Sequence, residues 1–153
     1  MFSGSLSISI NHLILSTMTF QPDIQLNNAA VIIASVLYYF IGFLWYSVFF
    51  RKTWIAETNV VHPDDKRPMG IPLGGQFLST MLYTYGLAIL FSALGATDVM
   101  SCIIIGLVFS LLIIIPMNSG TFFFQNKMKL FLIDVSERIV GTLMIAILLG
   151  LWQ

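Results

Sequence analysis

The sequence is short of charge. Of its 153 residues only 9% are Asp, Glu, Lys or Arg, where a soluble domain carries about a quarter. So few charges cannot keep a folded surface in water, and a soluble globule is excluded as the expectation. Seven Lys+Arg are balanced by seven Asp+Glu, which removes any bulk electrostatic case for nucleic acid. A single cysteine, Cys102, excludes an intrachain disulfide, and no zinc-type Cys/His spacing exists. The chain also lacks a glycine-rich phosphate loop after a strand and a nucleophile–base–acid set. His12 and His62, the two histidines, both lie outside the apolar runs. His62-Pro63-Asp64-Asp65 reads as a solvated proline-rich loop before it reads as a metal site. The expectation is no catalytic residues, no metal and no cofactor.

What the chain has instead is apolar length. Hydrophobic residues make up 58% of it and the mean hydropathy is +0.91. Four stretches run for about the 20 residues that a bilayer core requires: about 28–50, 75–95, 99–124 and 130–151. A backbone in lipid must satisfy its own hydrogen bonds, so each stretch predicts a helix. Transmembrane β-strands would be about half as long and would alternate polar with apolar. The predicted fold is an all-α bundle of four transmembrane helices over residues 27–152, with the lipid bilayer as its first partner. A multi-pass location in a cell membrane, the bacterial inner membrane or its equivalent, follows.

The basic residues orient it. Arg51, Lys52, Lys66 and Arg67 fall in the connection 51–73, and Lys127 and Lys129 in the connection 125–129. The N-terminal segment, the tight link Gly95-Ala96-Thr97-Asp98 and the C-terminus hold no Lys or Arg. Positive charge marks the cytoplasmic side, so both termini are expected on the non-cytoplasmic side. Trp45, Tyr46 and Trp54 near the inner boundary and Trp152 near the outer one fit an aromatic belt. Residues 1–26 are Ser-rich, without a positive n-region or a small-residue cleavage site. They are expected to form a flexible extension rather than a signal peptide, and Met18 is an alternative start. The connection 51–73, with Pro63, Pro68 and Pro72, predicts irregular structure. Phe77-Leu78 and Phe131-Leu132 open the second and fourth stretches alike, which fits either a duplicated helical pair or chance in low-complexity sequence.

Gly42-Phe43-Leu44-Trp45-Tyr46-Ser47, followed by aromatics and then Trp54, resembles the signature of a small membrane family known as domain of unknown function 1761. In that family the first helix begins with Asn, as at Asn27 or Asn28 here, and ends in Gly-x-x-Trp-Tyr-Ser with a Trp several residues on. Leu130-Phe131-Leu132-Ile133-Asp134 and Gly150-Leu151-Trp152 resemble its last helix. The likeness spans about residues 27–152. Val48 and Phe50 depart from the Pro and Gly common in the family at those places. The resemblance implies four helices and the signature residues Gly42, Trp45, Tyr46, Ser47 and Trp54, and it supplies no activity.

The fourth stretch carries the most informative charges. From Ile139 to Trp152 it has 14 uncharged residues, about 21 Å of helix against a hydrocarbon core of about 30 Å. Asp134, Glu137 and Arg138 are therefore expected to be drawn into the membrane edge, on one helical face with Gly141 and Ile145. Three roles stand open for them: an Asp134–Arg138 ion pair anchoring the helix end, a proton or cation site, or contact with another subunit. Pro116 with Asn118 interrupts the third stretch. Asn118 is expected either to take a freed carbonyl or to join Glu137, Arg138 and Thr80 or Thr84 in a polar cluster. Tyr38, Tyr39, Tyr83 and Tyr85 read as packing or boundary residues. Two functions fit: a non-catalytic accessory or scaffold subunit, as a homo-oligomer or within a larger membrane complex, or a small transporter or channel-like protein. Asn118, Asp134, Glu137 and Arg138 would line the transporter's path.

Overall fold

The computed structural model describes residues 26–58 and 70–152. Five continuous helices and no strand occur among them. Helix α1 (Asn28–Leu44) opens on Asn27, whose side-chain oxygen accepts from the Ala30 amide at 3.2 Å and satisfies one of the unpaired first-turn donors. It continues through a π turn, Trp45–Phe49, closed by Phe50 N–H on the Trp45 carbonyl at 2.9 Å. Helix α2 (Arg51–Thr58) follows at once. The start of the connection expected to be irregular is thus helical; the prolines that argued for irregularity lie further on, Pro63 and Pro68 outside the described residues.

Helix α3 (Gly70–Ala93) starts about five residues before the expected Gly75. Pro72 does not prevent this, because the N–H it lacks would be unpaired in a first turn anyway. The helix ends on Gly95, whose φ of 68° lets the chain reverse without a Cβ penalty. Gly95 N–H then bonds to Ser92 O at 3.0 Å and Ala96 N–H to Phe91 O at 2.9 Å, the paired bonds of a Schellman end. Three residues later Asp98 caps α4 (Val99–Phe109), accepting from the Ser101 amide at 3.0 Å and hydroxyl at 2.6 Å.

A second π turn, Ser110–Ile114, joins α4 to α5 (Ile115–Phe123) without a break. It ends two residues before Pro116. The wider turn shifts the hydrogen-bond register where proline cannot donate, so the helix passes through rather than stopping. Asn126, at φ 54°, reverses the chain into α6 (Met128–Leu151).

Helix α6 is the centre of the packing. It touches α1, α2, α4 and α5, while α3 lies mainly on α1. Small residues bring the helices close. A Cβ on Gly106 would stand 3.3 Å from Thr142 Cγ2, and one on Gly150 2.6 Å from Val99 Cα. Asn27 Nδ2 donates to Trp152 O at 3.2 Å, so the start of α1, the end of α6 and the start of α4 share one end of the molecule. At the other end Trp45 Nε1 donates to Ile133 O at 3.2 Å, and Lys127 Nζ donates to Glu57 O. Arg51, Lys52, Lys127 and Lys129 all belong to this second end.

Two of the helices are long and apolar enough to cross a membrane: Asn28–Phe49 (22 residues, mean hydropathy 1.9) and Val99–Phe123 (25 residues, 2.8). Helices α3 and α6 have 24 residues each, but Gln76 with several hydroxyls dilutes the first and four charges, Lys129, Asp134, Glu137 and Arg138, dilute the second. Apolar side chains cover the outside, among them Leu112 (68% exposed) and Met117 (76%).

Candidate functional site

The chemistry lies along the seam between α1 and α6. On α1 and the π turn that continues it, residues 38, 42 and 46 fall at i, i+4 and i+8 and line the side that meets α6. On α6, Asp134, Glu137 and Gly141 fall at i, i+3 and i+7 and face them. Tyr46 OH donates to Asp134 Oδ1 at 3.1 Å, with its ring against Trp54, centroids 5.5 Å apart. Tyr38 OH donates to Glu137 Oε2 at 3.5 Å. Glu137 is only 6% exposed. Gly42 leaves room for it, since a Cβ there would stand 3.2 Å from Oε1.

Gly141 does the same for the Tyr38 ring, which occupies the space a side chain would need. Beside that ring lies Tyr83 of α3, centroids 5.8 Å apart. Its hydroxyl is 2.6 Å from Thr142 Oγ1. Thr142 donates to Arg138 O at 2.7 Å, so Tyr83 supplies the proton of the first bond. Among the described residues no buried side-chain nitrogen or oxygen lacks a partner.

The residues singled out in the sequence separate. Gly42, Trp45, Tyr46 and Trp54 meet Asp134 and Glu137 in one cluster, while Ser47 is exposed. Arg138 does not share the burial of its neighbours: it is exposed, Asp134 is half-buried and Glu137 is buried. No ion pair within 4.0 Å joins the three among the described residues, so the Asp134–Arg138 pair expected from spacing is replaced by tyrosine hydroxyls. At i, i+4 both side chains have a choice of partner, and Tyr46 supplies one on the neighbouring helix.

Asn118 stays apart as well. Its Nδ2 donates to Ile114 O at 2.8 Å, the local alternative. Thr80 and Thr84 bond back to Gln76 O and Thr80 O of their own helix, both at 2.9 Å. The cluster drawn from the third and fourth stretches is in fact built from the first and the last. Tyr38, Tyr83 and Thr142 were the residues missed; the spacing of Tyr38, Gly42 and Tyr46 was the available signal.

The arrangement can hold two helices together and can hold a proton or a small cation near two carboxyls. No group of three or more His, Cys, Asp or Glu able to hold a metal occurs among the described residues. A surface cleft of about 450 Å³ lies at the opposite end, lined by Asn27, Ala30, Val31, Ala88, Leu149 and Trp152 among others. No curated protein and no solved structure matches the chain. A family model described as "Protein of unknown function (DUF1761)" matches residues 29–150. With nearly all of both seam helices inside that match, the chain belongs to the DUF1761 family.

Proposed function

We propose that the chain is a four-span integral membrane protein of a cell membrane, with its basic end in the cytoplasm, acting as a non-catalytic accessory or scaffold subunit. The carrying observation is the seam itself: the polar side chains between α1, α3 and α6 are spent on one another. Tyr46 takes Asp134, Tyr38 takes Glu137, and Tyr83 takes Thr142. Polar groups used this way fix helix register in a medium that offers no water, and the outer apolar faces stay free for lipid and a partner. Helices α3 and α6, at 24 residues each, would extend for about 36 Å, enough for a core of about 30 Å. Extraction in mild detergent followed by size measurement tests the scaffold role. A homo-oligomer or a defined complex supports it, and a clean monomer with no partner counts against it.

One observation favours a second reading, a small proton- or cation-coupled transporter. Glu137 is buried between helices with no cation within 4.0 Å among the described residues, as intramembrane carboxyls on ion pathways often are. Flux in liposomes that falls with Glu137→Gln and Asp134→Asn would favour transport; flux unchanged by both would remove it.

A further inference from the structure

We propose that Arg138 binds the phosphate of an anionic phospholipid in the cytoplasmic leaflet, on the flank of α6 that α3 leaves uncovered. The proposal rests on the four-span reading in one respect, that α6 crosses the bilayer.

Three observations meet at this residue. Arg138 is exposed and has no hydrogen bond or ion pair through its side chain among the described residues. The two acids nearest it along α6, Asp134 and Glu137, lie within reach of its charge but accept hydrogen bonds from Tyr46 and Tyr38, so the guanidinium forms no ion pair within 4.0 Å with either. Finally, the flank is open. Tyr83 of α3 meets α6 at Thr142, but every α3 residue from Gly70 to Ser79 is exposed. Contacts of that stretch run to α1, through Tyr39 OH on Leu73 O at 3.3 Å and the Tyr39 ring on Phe77 at 5.3 Å.

Depth fits a headgroup. If Leu151 marks the outer edge of the hydrocarbon, about 20 residues fill the core and Arg138 sits roughly 9 Å inside its inner edge. The arginine side chain snorkels toward the lipid phosphates, and local thinning of the bilayer around it closes the remaining distance. Its planar fork matches two phosphate oxygens, which a lysine does not. Lys127 and Lys129 at the start of α6, with Arg51 and Lys52, bias the same end toward anionic lipid.

The test uses the full chain in nanodiscs of phosphatidylcholine, with and without phosphatidylglycerol. Thermal midpoint and retained lipid by native mass spectrometry are the readouts. Wild type should gain a higher midpoint with phosphatidylglycerol and retain that lipid. Arg138→Gln should lose both, Arg138→Lys should keep a reduced shift, and Lys127→Gln should keep most of it. Absence of lipid dependence in wild type, a full shift in Arg138→Gln, or the same shift from inorganic phosphate in phosphatidylcholine discs would overturn the proposal. Should Arg138→Gln fail to fold, Arg138→Lys decides, and an undiminished shift there overturns the bidentate contact. Val140, exposed on α6 two residues away, separates the two readings through a cysteine there. Protection from a water-soluble maleimide without lipid dependence sinks the lipid site alone, whereas labelling sinks the crossing itself.

Discussion

Gly141→Ala is the sharpest perturbation of the seam. Its added Cβ would lie 2.7 Å from Tyr38 Cζ and 2.5 Å from Cδ2, and closer still to Cε2. The ring cannot retreat cheaply, since Tyr38 is 7% exposed and packs beside Tyr83. Overpacking of a close-fitted core costs about 1–3 kcal/mol. A displaced ring also loses the Tyr38–Glu137 bond, about 0.5–1.5 kcal/mol. Replacing a helical glycine by alanine returns about 1 kcal/mol. The sum is a net loss of about 2 kcal/mol, or about 4–8 °C in midpoint for a chain of this size. Gly86→Ala is the control: nothing lies within 4 Å of its new Cβ, so only the helix-propensity gain applies and the midpoint should rise slightly. Thermal unfolding of both variants in one detergent gives the comparison. A Gly141→Ala protein as stable as Gly86→Ala would refute the packing of Tyr38 against α6.

Tyr46→Phe keeps the ring against Trp54 but leaves Asp134 without its donor, and should cost about 1 kcal/mol in reversible unfolding; Ser47→Ala, at an exposed position, should cost almost nothing. Gly95→Ala forces a Cβ into the left-handed region and should lower stability by about 1 kcal/mol, measured in the same way. Hydrogen bonds from the Ser101 hydroxyl and amide hold the Asp98 carboxyl below its usual range. A lowered folded value gives a contribution that is present above the ordinary carboxylate range and lost as pH falls through the lowered value. Asp98→Asn, which keeps only one of the two acceptor oxygens, should flatten that acid limb of the stability–pH curve by lowering the neutral region toward the acid level.

Much of the fold was legible because long apolar helices are read from length and apolar content alone. The starts of α1 and α4 lie within a residue of the apolar runs, each behind an Asn or Asp cap. The DUF1761 signature was legible too, and its Trp45 and Tyr46 do meet the last helix. Both π turns escaped, because a one-residue change of register leaves no mark on composition. So did the α2 helix, whose charged sequence carries no apolar run. The site was half legible. Charges on α6 were visible, but partner choice was not: spacing along one helix offered Arg138 to Asp134, whereas the bonds are made by tyrosines about 90 residues away. A tyrosine on an apolar helix looks like packing until a carboxyl is placed opposite it.

Four crossings require α3 and α6 to span the bilayer together with the two more apolar helices. Single cysteines at positions 27, 97, 52 and 127, in a Cys102→Ala background, can be labelled in intact cells with an impermeant maleimide. Positions 27 and 97 should react from outside, and positions 52 and 127 only after the membrane is opened. Positions 27 and 97 reacting from opposite faces, or position 127 from outside, would contradict the four-span account.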